Sequence, residues 1–218
     1  MTEERPTKLV LIRHGESVST VSRRIGGHRT CGGLSPLGRQ QAERLRDRLA
    51  ATKELGADVL YSSQYPRARQ TAEIIAPALG GLKILEDEGF GEHDPGEICD
   101  GMSYEEFIAT YGQHDWSEPF AETFPGGETI AAFHFRVGRA MHGALTEHAG
   151  STIVVACHGG VIDYLFRFLL RMPSTGAFQL HTLNTAITEF QHVLPHTWRL
   201  GRYNDAAHLA GLPAETPR

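Results

Sequence analysis

The stretch Leu9–Ser17, LVLIRHGES, decides how this chain is read. Val10, Leu11 and Ile12 extend a continuous apolar run, the pattern of a strand buried on both faces. Arg13 and His14 end it abruptly, and Gly15 follows. A guanidinium and an imidazole lose hydration in a core, so they belong at an edge where something polar meets them. A second stretch, TIVVACHGG from Thr152 to Gly160, has the same form and runs into His158, Gly159 and Gly160. A third, SSQYPRARQTA from Ser62 to Ala72, passes from a strand end through Pro66 into a helical pattern, with Arg67 in the first turn.

Working outward, strand-like runs at Lys8–His14, Asp58–Ser63, Leu82–Leu85, Thr152–His158 and Ala186–Val193 alternate with helical patterns. One helix is predicted from Pro36 to about Leu55, with Leu37, Gln41, Leu45 and Leu49 in register and Ser35 as N-cap. Others are predicted at Pro66–Leu79, Glu128–Ala149 and Val161–Leu170. Such alternation implies crossover units and an α/β fold with a mostly parallel sheet covered on both faces. Nothing divides the chain, so residues 1–218 are expected to form one domain. Residues 86–125 differ, being rich in Gly, Asp and Pro with one short helix near Ser103–Tyr111, and are expected to be an inserted lid. The tail, residues 205–218, is expected to be loosely held.

Composition narrows the partners. The chain has 218 residues, of which 40% are apolar and 22% charged, enough for a sizeable core. A formal net charge of −5 disfavours nucleic acid and anionic membrane surfaces. No apolar stretch nears the roughly 20 residues a membrane span needs, and the start, MTEERPTK, lacks the features of a signal peptide. Cys31, Cys99 and Cys157 are odd in number and far apart, which favours reduced thiols and a cytoplasmic location.

In open α/β sheets ligands sit beyond the carboxyl ends of the strands. His14 and His158 both fall there, each followed by a glycine that lets backbone approach a ligand. Arg67 opposes the dipole of the helix it opens. A bound anion removes that conflict, because it gains from both the helix terminus and the guanidinium. Taken singly, each of these residues has an ordinary structural explanation. Two arginines and two histidines converging on one spot point to a phosphoryl group, with a neutral imidazole as nucleophile.

At these residues the sequence resembles the histidine phosphatase superfamily, its phosphoglycerate mutase-like branch. The matching segments are LIRHGES at 11–17, LSPLGRQQA at 34–42, SS at 62–63 with RA at 67–68 and QTA at 70–72, PGGE at 125–128 and VACHGG at 155–160. The resemblance implies a three-layer α/β/α sandwich. It makes His14 the nucleophile that becomes phosphohistidine, with Arg13, Arg67 and His158 around the phosphoryl oxygens and Gly159 and Thr20 as further contacts. The family often has Asn where Thr20 stands, and a threonine hydroxyl donates one hydrogen bond with a shorter reach. The family acid is a Glu four residues before a Gly. Glu92 fits because Asp100-Gly101 and a helix follow, while Asp87 and Glu88 remain alternatives. No metal and no other cofactor is implied. Arg23, Arg24, His28 and Arg29 form a basic loop that could meet a second anionic group.

Other motifs fail on their chemistry. The glycine spacing at 33–38 is followed by Arg39 and Gln40 where a phosphate loop needs Lys and Ser or Thr. His192 and His196 are separated by Pro195 and do not share a helix face. The expected function is therefore hydrolysis of a small phosphomonoester through phosphohistidine. A phosphoglycerate mutase is the alternative, and an inactive phospho-ligand binder is a third reading. The partner expected is a small phosphorylated metabolite. A homodimer is left open, because the exposed sheet edge cannot be identified from sequence.

Overall fold

The computed structural model describes residues 5–113, 116, 118–176, 178–194 and 197–214. Six strands form one sheet: β1 (Lys8–Arg13), β2 (Val59–Ser62), β3 (Ile84–Glu86), β4 (Thr152–Cys157), β5 (Ile187–Leu194) and β6 (Thr197–Asp205). Their order is β3-β2-β4-β1-β5-β6. The first four run parallel, whereas β5 lies antiparallel to β1 and β6 antiparallel to β5. The helices are α1 (Val18–Val21), α2 (Pro36–Thr52), α3 (Pro66–Ile75), α4 (Gly96–Cys99), α5 (Tyr104–Tyr111), α6 (Ile130–Glu147) and α7 (Gly159–Leu169).

The unbroken apolar runs of β1 and β4 follow from their position. Leu9 and Leu11 pack with Phe133, Val137 and Val161 on the face covered by α6 and α7. Val10 and Ile12 point the other way, toward Leu45, Leu49, Ala72 and Ile75 of α2 and α3. Alternate side chains therefore reach two different cores, and every residue of β4 is buried. Each such aliphatic side chain contributes roughly 1.5–3 kcal/mol by leaving water. That fixes where β1 and β4 end, and so where His14 and His158 stand.

Three expectations need correction. Leu82–Leu85 becomes a strand only at Ile84–Glu86. The helix beginning at Pro66 is α-helical to Ile75 and then tightens into a 3₁₀ turn at Ala76–Leu79, where Pro77 brings no N–H. The third concerns the tail. Asp205 ends β6 and is gripped by Arg48 Nη2 at 2.6 Å, and His208 Nε2 lies 2.9 Å from Thr185 Oγ1. Residues 205–209 are thus tied down by long-range polar contacts, while 215–218 lie outside the described residues. So does His196, the second histidine of the rejected metal pair. Strand β6 itself was not anticipated.

Residues 86–125 hold α4, α5 and a 3₁₀ turn at Glu88–Phe90. Cys99, Phe107 and Phe124 of this segment meet Ile25 in a small core of their own. Among the described residues, no helix is long and apolar enough to cross a membrane.

Candidate active site

The carboxyl ends of β1, β4 and β2 open into a cavity of about 770 Å³. His14, Thr20, Arg67 and Glu92 face it, four of the residues singled out from the sequence. Arg13, His158 and Gly159 are not among its lining residues. Arg13 is buried and donates through Nη1 to the Thr182 carbonyl. His158 is fully buried, with its ring edge-on to His14 at 5.1 Å between centroids.

His14 is mounted from three sides. Its backbone N–H donates to Cys157 O on β4 at 2.9 Å, and Asn184 Nδ2 donates to its carbonyl at 2.7 Å. Its Nδ1 lies 2.6 Å from Gly15 O. That carbonyl can only accept, so Nδ1 carries the proton and the lone pair belongs to Nε2. Gly15 is required by packing, because a Cβ there would sit 2.4 Å from Gly38 O.

His158 is oriented by Ser63. Tyr65 N donates to Ser63 Oγ at 3.2 Å, and the same hydroxyl lies 2.8 Å from His158 Nε2. The other ring nitrogen, Nδ1, is buried and has no hydrogen-bond partner among the described residues. Burial, then the nearby Arg67, His14, Arg13 and Arg136, hold the His158 pKa well below the usual histidine range. The ring is neutral.

Arg67 is set by α3. Pro66 occupies the first helical position, and no side chain caps this helix start. The guanidinium lies over the Tyr65 ring at 4.5 Å and donates to Gly26 O at 3.2 Å, and it lies 3.2 Å from Cys31 Sγ. Thr71 Oγ1 donates to Arg67 O at 2.8 Å and accepts from Gly15 N at 3.1 Å, which links α3 to the strand end bearing His14.

Glu92 approaches from the 86–125 segment. Its Oε1 accepts from His93 N and its Oε2 from Gly160 N, both at 3.1 Å. A Cβ on Gly160 would lie 2.3 Å from Glu92 Oε1, so the second glycine of HGG makes room for this carboxylate. Asp87 is engaged elsewhere: its Oδ1 accepts from Gly89 N at 2.7 Å and caps the 3₁₀ turn. Glu88 is exposed, and neither residue lines the cavity.

The rest of the lining divides in two. Tyr104, Ile108, Trp116, Phe124 and Phe133 make an apolar wall, while Ser17, Ser19, Arg23 and Arg24 lie on the α1 side. Of the basic loop, Arg29 turns instead to Asp100 at 3.7 Å, and His28 stacks on Tyr65 at 4.3 Å. Sequence reasoning missed the supports: Asn184, Arg136 and the contact between Gly160 and Glu92. None has a local signal, because each acts on a main-chain group or on a residue remote in sequence.

Comparison with known proteins places the chain in a family. The sequence profile of the histidine phosphatase superfamily (branch 1) matches residues 9–206. Phosphoglycerate mutase-like protein 4 of Arabidopsis thaliana is 32% identical over 93% of this chain and 86% of its own length. A metal-independent phosphoserine phosphatase of the same plant is 26% identical over 96% of this chain and 86% of its own. The solved structure of Bacillus stearothermophilus YhfR is 30% identical with a TM-score of 0.79, covering 93% of this chain and 99% of that one. The chain belongs to the histidine phosphatase superfamily, branch 1.

Proposed function

We propose that this protein is a phosphatase that hydrolyses a small phosphomonoester through a phosphohistidine at His14. The observation that carries this reading is one cavity faced by an oriented imidazole, a guanidinium and a carboxyl group: His14, Arg67 and Glu92. His14 Nε2 attacks phosphorus as the bond to the ester oxygen breaks. Glu92, entering as the acid, gives its proton to the departing alkoxide. The resulting carboxylate then takes a proton from water, whose oxygen attacks phosphorus and releases His14 and phosphate. Arg67 and Arg13 offset the charge of the transferring group, and His158, in the tautomer that protonates its buried Nδ1, offers one of its oxygens a donor. Gly159 opens α7 and brings backbone amides to the same place, and Thr20 adds a hydroxyl on the cavity wall.

A volume of about 770 Å³ suits a small metabolite. The 86–125 segment serves as its roof, contributing Tyr104, Ile108, Trp116 and Phe124. Three free cysteines fit a reducing compartment, so we place the reaction in the cytoplasm. A relative named as phosphoglycerate mutase-like keeps phosphoryl transfer between substrate positions as the second reading.

The test is incubation with labelled phosphomonoester, which should leave an acid-labile, base-stable adduct on the protein and release phosphate without added metal. His14→Ala should lose the adduct and at least about 10³-fold in turnover, as removing a nucleophile does. Full activity in that variant ends the proposal. Interconversion of 2- and 3-phosphoglycerate outpacing phosphate release favours the mutase.

A further inference from the structure

Arg136, on the second turn of α6, lines no part of the cavity, yet it is tied to the main chain that carries Glu92. Its Nη1 donates to the carbonyls of Glu88, Gly89 and Gly91, each at 3.1 Å, and its Nη2 to that of Glu92 at 3.2 Å. The opposite edge of the guanidinium is held by Glu128 of the PGGE turn, through Nε at 3.0 Å and Nη2 at 2.7 Å. Glu128 is itself fastened to the same segment, since its N–H donates to Asp94 O at 2.9 Å. The Phe133 ring lies 5.4 Å from the guanidinium carbon.

This fork does two things a single charge could not. It gathers carbonyls spread over five residues into one plane, and its position is set by a bidentate carboxylate. The packing leaves no slack: a Cβ on Gly89 would lie 2.4 Å from Ala140 Cβ, and one on Gly91 3.3 Å from the Tyr65 ring. Among the described residues the Glu92 carboxylate is held by two backbone N–H groups, those of His93 and Gly160, so its placement depends on where its own main chain lies. A small displacement of a reacting group has a large effect on rate.

We infer that Arg136, braced by Glu128, is the positioning residue for the general acid, and that it governs protonation of the leaving group rather than capture of the phosphoryl group. This rests on the reading of Glu92 as the acid. A leaving group that departs readily as an anion needs little help from Glu92, whereas a poor one depends on it. Loss of positioning therefore shows as a selective penalty on poor leaving groups, which a general weakening of the fold does not produce.

The experiment compares kcat/KM for 4-nitrophenyl phosphate and phenyl phosphate, two esters of similar shape whose phenols differ in acidity. Arg136→Lys, which keeps the charge but not the fork, should lower the phenyl phosphate value by roughly 10- to 100-fold, within the range of general-acid effects, and the 4-nitrophenyl value by less than about threefold. Glu128→Gln should show the same selectivity at smaller size, and Glu92→Gln the same at larger size. Equal losses on both esters in the Arg136 and Glu128 variants, or no loss in either, overturn the inference. Absence of selectivity in Glu92→Gln strikes the acid assignment itself and removes the inference with it. His14→Ala, losing both esters alike, separates either result from failure of the phosphatase reading.

Discussion

At one end of the cavity, His14 and Arg67 stand on a strand end and a helix start that belong to the two large cores, with 17 and 14 buried residues. At the other end, Glu92, Tyr104, Ile108, Trp116 and Phe124 come from a segment whose own core has four, among the described residues. The first end holds its side chains by burial and parallel-strand register. The second holds them by hydrogen bonds to loop backbone, which Asp100 accepts from N–H groups and Arg136 and the Glu128 N–H donate to carbonyls. Local opening has a smaller cost where less apolar surface is buried. The phosphoryl-handling end should thus be rigid, and the leaving-group end should be where structure is adjusted most easily.

The sharpest way to break this contrast is Gly160→Ala, which joins the two ends. Its methyl group would meet Glu92 Oε1 at 2.3 Å. Turnover should drop about 10²-fold, the scale of one misplaced acid. Melting temperature should hold or rise, because Ala replaces Gly inside α7 and favours the helix by roughly 0.5–1 kcal/mol. Kinetics with parallel thermal melts check it, and a loss of stability without loss of rate contradicts it.

Asp100→Ala is expected to act more mildly, on the leaving-group end alone. Asp100 accepts from Gly27 N at 2.9 Å and Arg29 N at 2.8 Å, and it is bonded by Thr30. Releasing this loop should raise KM by roughly 3- to 10-fold, since about 1 kcal/mol accompanies each lost hydrogen bond. The adduct on His14 should still form. Steady-state kinetics and hydrogen exchange over residues 26–30 measure both effects. A collapse of kcat with KM unchanged would show that the loop belongs to the chemical end.

The smallest effect lies far from the site. Burial first, and Arg48 second, depress the His208 pKa to about 4 from an ordinary 6.5. Between those values the unfolded chain binds more protons than the folded one, so stability rises with pH across this window. The contribution is complete above about pH 6.5 and disappears toward pH 4. His208→Gln should flatten that slope by about 1 kcal/mol, after allowance for partial exposure. Chemical denaturation at several pH values reads it.

The same contrast explains what the sequence disclosed. β1 and β4 are readable because burial on both faces leaves the unbroken apolar runs Leu9–Ile12 and Ile153–Cys157 up to the site. The 86–125 segment stands out by its composition, but spacing leaves Asp87 and Glu92 as rivals. Only three dimensions show that Asp87 is spent on a turn cap while Glu92 faces His14's cavity. β6 stays hidden because it is an edge strand whose inward residues, Trp198, Leu200 and Arg202, are only partly buried. Its anchor, the pair of Arg48 with Asp205, is 157 residues apart in sequence. Arg136 gives no sign because its partners are mostly carbonyls, which every residue possesses.

The reversal of β5 against β1 has a consequence for how the molecule is made. It brings Asn184 to the His14 carbonyl and Thr182 to Arg13, across 170 and 169 positions of chain. The proposed nucleophile is made first, yet its mounting is completed by residues that leave the ribosome some 170 positions later. Nascent chains stopped before Thr182 would carry His14 without these supports, so ribosome-bound fragments of that length should be chemically silent.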